Sequence, residues 1–245
     1  MPLKLENMNW MEFDELVPDK IDTVILPVGT IEAHGVTNLG TDVSIPVFIS
    51  EKIAEDLNAI VAPPIYYGIT RTLYSYPGSL TVSSPVFESY LTEIMLSLAE
   101  KGFLRILVIN GHGGHIDELK NAAMKVHRDK KAKVTVIHWW ILCEELTKKF
   151  FGETGGHAGL DENAAVLAID KDLVKKRRYK KDMVYFQKSG VYSLPGPGSI
   201  VIYKKGEGYP DFDVKKAKAY MDRVVKKIKD DVSEIFGRWE EIKLE

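Results

Sequence analysis

Cysteine is almost missing from this 245-residue chain. Cys143 stands alone, which excludes an intramolecular disulfide and a cysteine-built zinc site and suits a reducing compartment. Long apolar runs are missing too. None approaches the roughly 18 residues that a membrane span requires, so no membrane partner is expected. Charge of one sign is not in excess: 33 basic against 35 acidic side chains leave a formal net charge of −2. That balance offers no footing for a nucleic-acid partner. The amino-terminal stretch MPLKLENMNWMEFDELV carries acids where a secretory signal would need a basic start and an apolar segment, so a cytoplasmic location is expected. Glutamine occurs once, at Gln187, beside abundant Lys and Glu, a balance that leans toward heat-adapted chains. Two motifs are absent as well. Without G-x-S-x-G there is no serine elbow. Without G-x-G-x-x-G after a strand, a dinucleotide site has no support.

What is present is ordinary globular material, 45% hydrophobic and 28% charged, enough for a sizeable core in one domain spanning 1–245. Short apolar runs stopped by Gly or Pro read as buried strands at 22–28, 58–62, 104–110 and 133–138. Amphipathic stretches at 47–57, 86–101, 116–130, 162–169 and 214–236 read as helices, the first placed just after Pro46. Alternation of the two predicts a mostly parallel central sheet covered on both faces, an α/β chain of three layers. No repeat of 20–50 residues is visible, which argues against a solenoid. The Gly/Pro-rich, aromatic-bearing segment 189–210 reads as a functional loop or hairpin, and KKRRYKK at 175–181 as a solvated basic segment.

Ligands of open parallel sheets bind beyond the carboxyl ends of the strands, and three polar clusters fall there or in adjoining loops. The first follows strand one and holds Glu32, His34 and Asp42. Two carboxylates and an imidazole so close together can hold a divalent transition metal; a hydrogen-bonded loop is the plainer reading. The second is Asn110-Gly-His-Gly-Gly-His115, after strand three, in which His112 is the better ligand candidate. His115 reads as a substrate contact or a polar residue at a helix start, ahead of a second ligand. The third, Gly155 to Asn163, offers His157 for proton transfer and Glu162 to bind or orient a metal, with Asp161 as a helix N-terminal charge. His127, His138 and Cys143 read as structural. Tyr66, Tyr67, Tyr74, Tyr76, Trp139, Trp140 and Tyr192 are candidates for lining a pocket or joining the core.

Taken together, PVGTIEAHG…LGTD, LVINGHGGH and GHAGLDENA resemble the creatininase (creatinine amidohydrolase) family, whose motifs run P-x-G-S-x-E-x-H-G…T-D, N-G-H-G-G-N and H-A-G-x-x-E-T-S. The resemblance covers residues 24 to about 170, with YPGSL at 76–80 similar to the family's P-G-T segment.

The resemblance implies a three-layer α/β/α fold around two divalent metal ions, Zn, Mn or Fe. By position, Glu32 and His112 would bind one metal, His34 the other, and Asp42 both. His157 takes the place of the catalytic histidine and Glu162 that of the third-motif glutamate, as metal ligand or holder of His157. The implied activity is hydrolysis of a C–N bond in a small cyclic amide or formamide through metal-bound hydroxide. Alternatives are a deformylase acting on a formamido-pyrimidine metabolite and a non-catalytic member that binds a small ligand. Members are commonly homo-oligomers, often hexamers. Creatinine-hydrolysing members carry a glutamate two positions after the second-motif histidine. Gly114 stands there in this chain, as His115 does for the family's Asn and Asn163-Ala164 for Thr-Ser.

Overall fold

The structure, a computed structural model, describes residues 2–242. In chain order the elements are α1 (Trp10–Leu16), β1 (Thr23–Val28), α2 (Thr41–Ile53), β2 (Ala59–Val61), α3 (Ser84–Glu100), β3 (Arg105–Asn110), α4 (Ile116–Lys130) and β4 (Lys133–His138). Then follow α5 (Trp139–Leu142), α6 (Glu144–Phe151), β5 (Gly156–His157), α7 (Leu160–Ile169), β6 (Val184–Phe186), β7 (Ile200–Ile202) and α8 (Val214–Glu241).

Four strands pair in the order β2-β1-β3-β4, and every pairing is parallel. Side chains of a strand alternate between faces, and here each face meets its own helical layer. Ile25, Leu107 and Ile109 point into a core with α2, α7 and α8, whereas Val24, Leu26, Ile106 and Val108 point into a core with α3 and α4. The apolar strand runs are therefore buried on both faces, as three layers demand. Residues 3 and 4 close the outer edge of β2, with Val61 N–H donating to the Leu3 carbonyl.

Register sets up the site. Val28 pairs with Asn110 and Asn110 with His138, so β1, β3 and β4 end level and their following loops start side by side. The third polar cluster arrives from elsewhere. β5 pairs antiparallel with β7, which pairs parallel with β6, forming a second, three-stranded sheet. Segment 189–210 is therefore not a hairpin: its only strand joins two distant ones. The helix expected at 47–57 begins earlier, at Thr41, with Pro46 inside it. Proline has no N–H to give the carbonyl four residues back, that of Asp42. This oxygen lies against Gly29 and Gly111, where an added Cβ would stand 2.2 and 2.0 Å from it. The first turn of α2 thus rests directly on the ends of β1 and β3.

The same substitution should act with opposite signs at two glycines. Gly111→Ala drives a Cβ into the α2 backbone and should cost about 1–3 kcal/mol. Gly237→Ala, inside α8 with nothing within 4 Å of the new methyl, should gain about 0.5–1 kcal/mol from helix propensity. Urea unfolding midpoints would reveal either sign as wrong.

Candidate metal centre

Glu32 and His34 leave the end of β1 in an extended stretch pinned on both sides. Glu32 N–H donates to the Leu39 carbonyl, and Ala33 N–H to Ser79 Oγ at 3.0 Å. Asp42 enters from the first turn of α2, where its charge also suits the helix dipole. His112 follows β3, its backbone N–H donating to the Asn110 side chain, which in turn meets Nδ1 of His138 at 2.9 Å. His157 and Glu162 come from β5 and the first turn of α7. Between them Ala158 takes φ +51°, a left-handed turn rare for a residue with a Cβ. That turn aims its N–H at Glu162 Oε2, 2.6 Å away.

The six residues named above converge. Asp42 Oδ1 lies 2.9 Å from His34 Nε2, and Asp42 Oδ2 lies 2.9 Å from His112 Nδ1. Glu32 faces the same His112 nitrogen at 3.4 Å, and Glu162 faces the same His34 nitrogen at 3.7 Å. Three trios result, each with ligand atoms within 4.8 Å of one another: Glu32/Asp42/His112, His34/Asp42/Glu162 and Glu32/His34/His157. Asp42 belongs to the first two. His157 stacks near His34, ring centroids 4.2 Å apart.

Each imidazole is tied at its other nitrogen. His34 Nδ1–H donates to the Glu32 carbonyl, His112 Nε2–H to the Ile69 carbonyl, and His157 Nε2–H to the Ala33 carbonyl. Neutral rings so anchored present a lone pair inward, the arrangement that metal-ligating histidines adopt. Lone pairs of His34 and His112 then face carboxylate oxygens, and lone pairs repel unless a cation lies between. Asp42 Oδ2 is buried and receives no hydrogen bond. This donor set, mixed carboxylate and imidazole, fits Zn²⁺, Mn²⁺ or Fe²⁺.

Electrostatics tells the same story with protons in the cation's place. Burial opposes charge on His34 and His112, yet the surrounding carboxylates, Asp42 and Glu32 above all, push them up to about 10 and about 9. Burial likewise opposes ionisation of Asp42, but the two imidazoles hold it well below the usual carboxylate range. Glu162, buried and beside Asp42 and Asp161, is pushed up to about 8. Burial, reinforced by His34, takes His157 down to about 3, so its ring is neutral.

A cavity of about 850 Å³ opens over these groups. Trp140 and Tyr192 line it; so does Tyr203, which carried no sequence signal. Trp139 is in the core instead, and Tyr66 and Tyr67 border a separate groove. His115 is corrected. It is wholly buried in the turn Gly113–His115, and its Nε2 accepts the Ile69 N–H at 3.0 Å, so it is no substrate contact. Gly114 is filled from outside: a Cβ there would meet His112 Nε2 at 2.6 Å and the Ile69 carbonyl at 2.8 Å. Asp161 sits in the first turn of α7 as expected, accepting the Gly156 N–H. His127 bonds the nearby Ala132 carbonyl and His138 the Asn110 side chain on the neighbouring strand, and Cys143 is buried, its thiol pushed up to about 12 by burial. Residues 176–181 are mostly exposed. No described helix is long and apolar enough to cross a membrane.

The chain matches the family model described as "Creatininase: Creatinine amidohydrolase" over residues 6–230. It is 29% identical over 159 residues to a mycofactocin precursor peptide peptidase of Mycolicibacterium smegmatis, covering 62% of this chain and 60% of that one. It is 25% identical over 191 residues to the creatinine amidohydrolase of Pseudomonas putida, covering 68% of this chain and 72% of that one. A solved creatinine amidohydrolase (creatininase) superposes with a TM-score of 0.83 at 21% identity, covering 96% and 98% of the two chains. Solved creatininases include a Zn–Zn type and a manganese form, with TM-scores of 0.79 and 0.78 at 21% and 22% identity, each covering 96% of this chain and 99% of its own.

Alkali should distinguish the metal-free protein. His34 and His112 are raised above the ordinary 6.5, so their contribution to stability is complete below about pH 6.5 and is lost as pH rises through 9 to 10. Glu162, raised toward 8, adds to the loss over 4.5 to 8. Chelator-treated protein should therefore melt at a lower temperature at pH 10 than at pH 7, and Zn²⁺ or Mn²⁺ should remove most of that difference. An unchanged melting temperature in the chelated protein would refute the arrangement of charges.

Proposed function

This chain belongs to the creatininase family, and from that we propose that it is a metal-dependent hydrolase of an amide C–N bond. One observation carries the reading: Asp42 stands between two trios of donors whose imidazoles are each locked with a lone pair inward. Glu32, Asp42 and His112 would hold one divalent cation, and His34, Asp42 and Glu162 a second. Bound there, such ions supply a Lewis acid for the carbonyl and an acidified water for attack at neutral pH.

The chain's own groups do the remainder. His157, neutral and anchored to the Ala33 carbonyl through Nε2, keeps Nδ1 free to take a proton and deliver it to the leaving nitrogen. Glu162, held by the Ala158 N–H, stays oriented toward His34. The Ile69 carbonyl fixes the ring of His112.

Substrate size follows from the cavity. About 850 Å³ exceeds what one small ring fills, and Gly114 replaces the glutamate of creatinine-hydrolysing members. Both favour a formamide or other amide with an extended second part over creatinine. The similarity to a peptide peptidase keeps peptide bonds within the class to be assayed. A cytoplasmic location, on the acidic amino-terminal stretch and the lone Cys143, and a homo-oligomeric state, on the resemblance, remain part of the proposal.

Asp42→Ala should purify folded but with little bound metal and at least about a 100-fold loss of turnover, since both trios lose a member. Elemental analysis beside an amide panel reads both quantities. Full metal content with normal turnover overturns the assignment, and a metal-loaded wild type inert across the whole panel favours the ligand-binding alternative.

A further inference from the structure

We propose that Arg71 is a specificity-determining residue that binds an anionic group, carboxylate or phosphate, on the part of the substrate away from the scissile bond. The proposal rests on the amide-hydrolase reading and names its substrate class.

Arg71 lines the catalytic cavity, and its side chain remains 52% exposed there. It is nevertheless held. Nη2 bonds Glu118 Oε1 at 3.2 Å, and Glu118, on the first turn of α4, is buried and also receives the Ser84 hydroxyl at 2.5 Å. Glu118 Oε2 accepts no hydrogen bond, so Arg71 and the Ser84 hydroxyl, both on Oε1, are what satisfy this buried carboxylate. A guanidinium carries five donors in a planar fork. One is used on Glu118; the described residues offer Nε and Nη1 no hydrogen bond, which leaves a pre-oriented fork facing the cavity.

Its neighbours explain what that fork is for. Glu32, Asp42, Glu144, Asp161 and Glu162 all border the cavity, so its wall is rich in carboxylates and poor in side-chain cations with which an acidic ligand could pair. The other lining cation, Lys204, pairs with Glu207. Arg71 is paired too, but through Nη2 alone and to a buried carboxylate, so among the described residues it is the lining cation whose Nε and Nη1 remain to bind a ligand. Its position is referenced to the candidate metal centre, because Ile69, two residues earlier, grips His112 through its carbonyl and His115 through its N–H. Two residues span at most about 7 Å of backbone. On the opposite side, the Thr72 carbonyl accepts the Gly196 N–H at 2.6 Å and Tyr76 Oη donates to the Gly196 carbonyl at 3.0 Å. The arm that carries Arg71 is thus fastened at both ends, and an anion it holds lies at a set distance from the reacting carbonyl. Charged hydrogen bonds of this kind discriminate an acidic substrate from its neutral analogue by about 10–100-fold.

The test uses the metal-loaded full chain and three probes: formanilide, 4-formamidobenzoate and 4-formamidophenyl phosphate. Calorimetry should show one acidic probe binding at least about 10-fold tighter than formanilide. Arg71→Gln should abolish that preference without weakening formanilide, and Arg71→Lys should keep part of it. Whichever acidic probe binds tighter identifies the group as carboxylate or phosphate. Equal or absent binding of acidic and neutral probes, or a preference that survives Arg71→Gln, overturns the proposal. Formate release is measured separately: no turnover with an intact Arg71-dependent preference counts against the hydrolase reading, not against the anion site.

Discussion

Everything in this site turns on a buried carboxylate that two imidazoles share. Asp42 touches His34 with one oxygen and His112 with the other, and both rings spend their second nitrogen on a backbone carbonyl. Burying such a group is costly unless positive charge compensates it. With Glu32, Glu162 and neutral His157 around it, compensation comes from protons on His34 and His112 or from divalent cations in their place. The site is therefore a trap for positive charge, and a metal ion taken up there would displace protons.

Scaffolding serves that one contact. Three strands end level, so the loops after β1 and β3 leave from neighbouring points. Glycines at 29 and 111 let the α2 backbone rest on those strand ends, which delivers Asp42 between Glu32 and His112. The second sheet then brings His157 and Glu162 across the open side, 124 positions from the Ala33 carbonyl that anchors His157. The segment around Ile69 closes the remaining side, since the backbone N–H and carbonyl of that one residue serve His115 and His112. The cavity above the donors is shaped by the 70s and 190s segments, which bond to each other at Gly196.

Much of this was legible beforehand, for a reason visible in single residues. β1, β2 and β3 read correctly because each is an apolar run buried on both faces, which marks a parallel sheet; β4, at the edge and only half-buried, still showed in Val134, Val136 and Ile137. Glu32, His34, Asp42, His112, His157 and Glu162 stood out because they sit in short polar clusters at the ends of such runs. The start of α2 was misplaced because Pro46 suggested a first turn, whereas glycines at 29 and 111 give its unbonded Asp42 carbonyl room inside the helix. Strands β5, β6 and β7, of two or three residues each, are too short to show a period.

By itself the sequence determined which side chains could bind positive charge and at which strand ends they would emerge, because local spacing and hydrophobic patterning are properties of contiguous residues. Tertiary structure alone decided the partners. His115 looked like a polar helix start and became a buried acceptor for Ile69, 46 positions away. Arg71 carried no signal in the sequence and found Glu118, 47 positions away. Those pairings depend on how layers pack, and no short window of the chain contains both members.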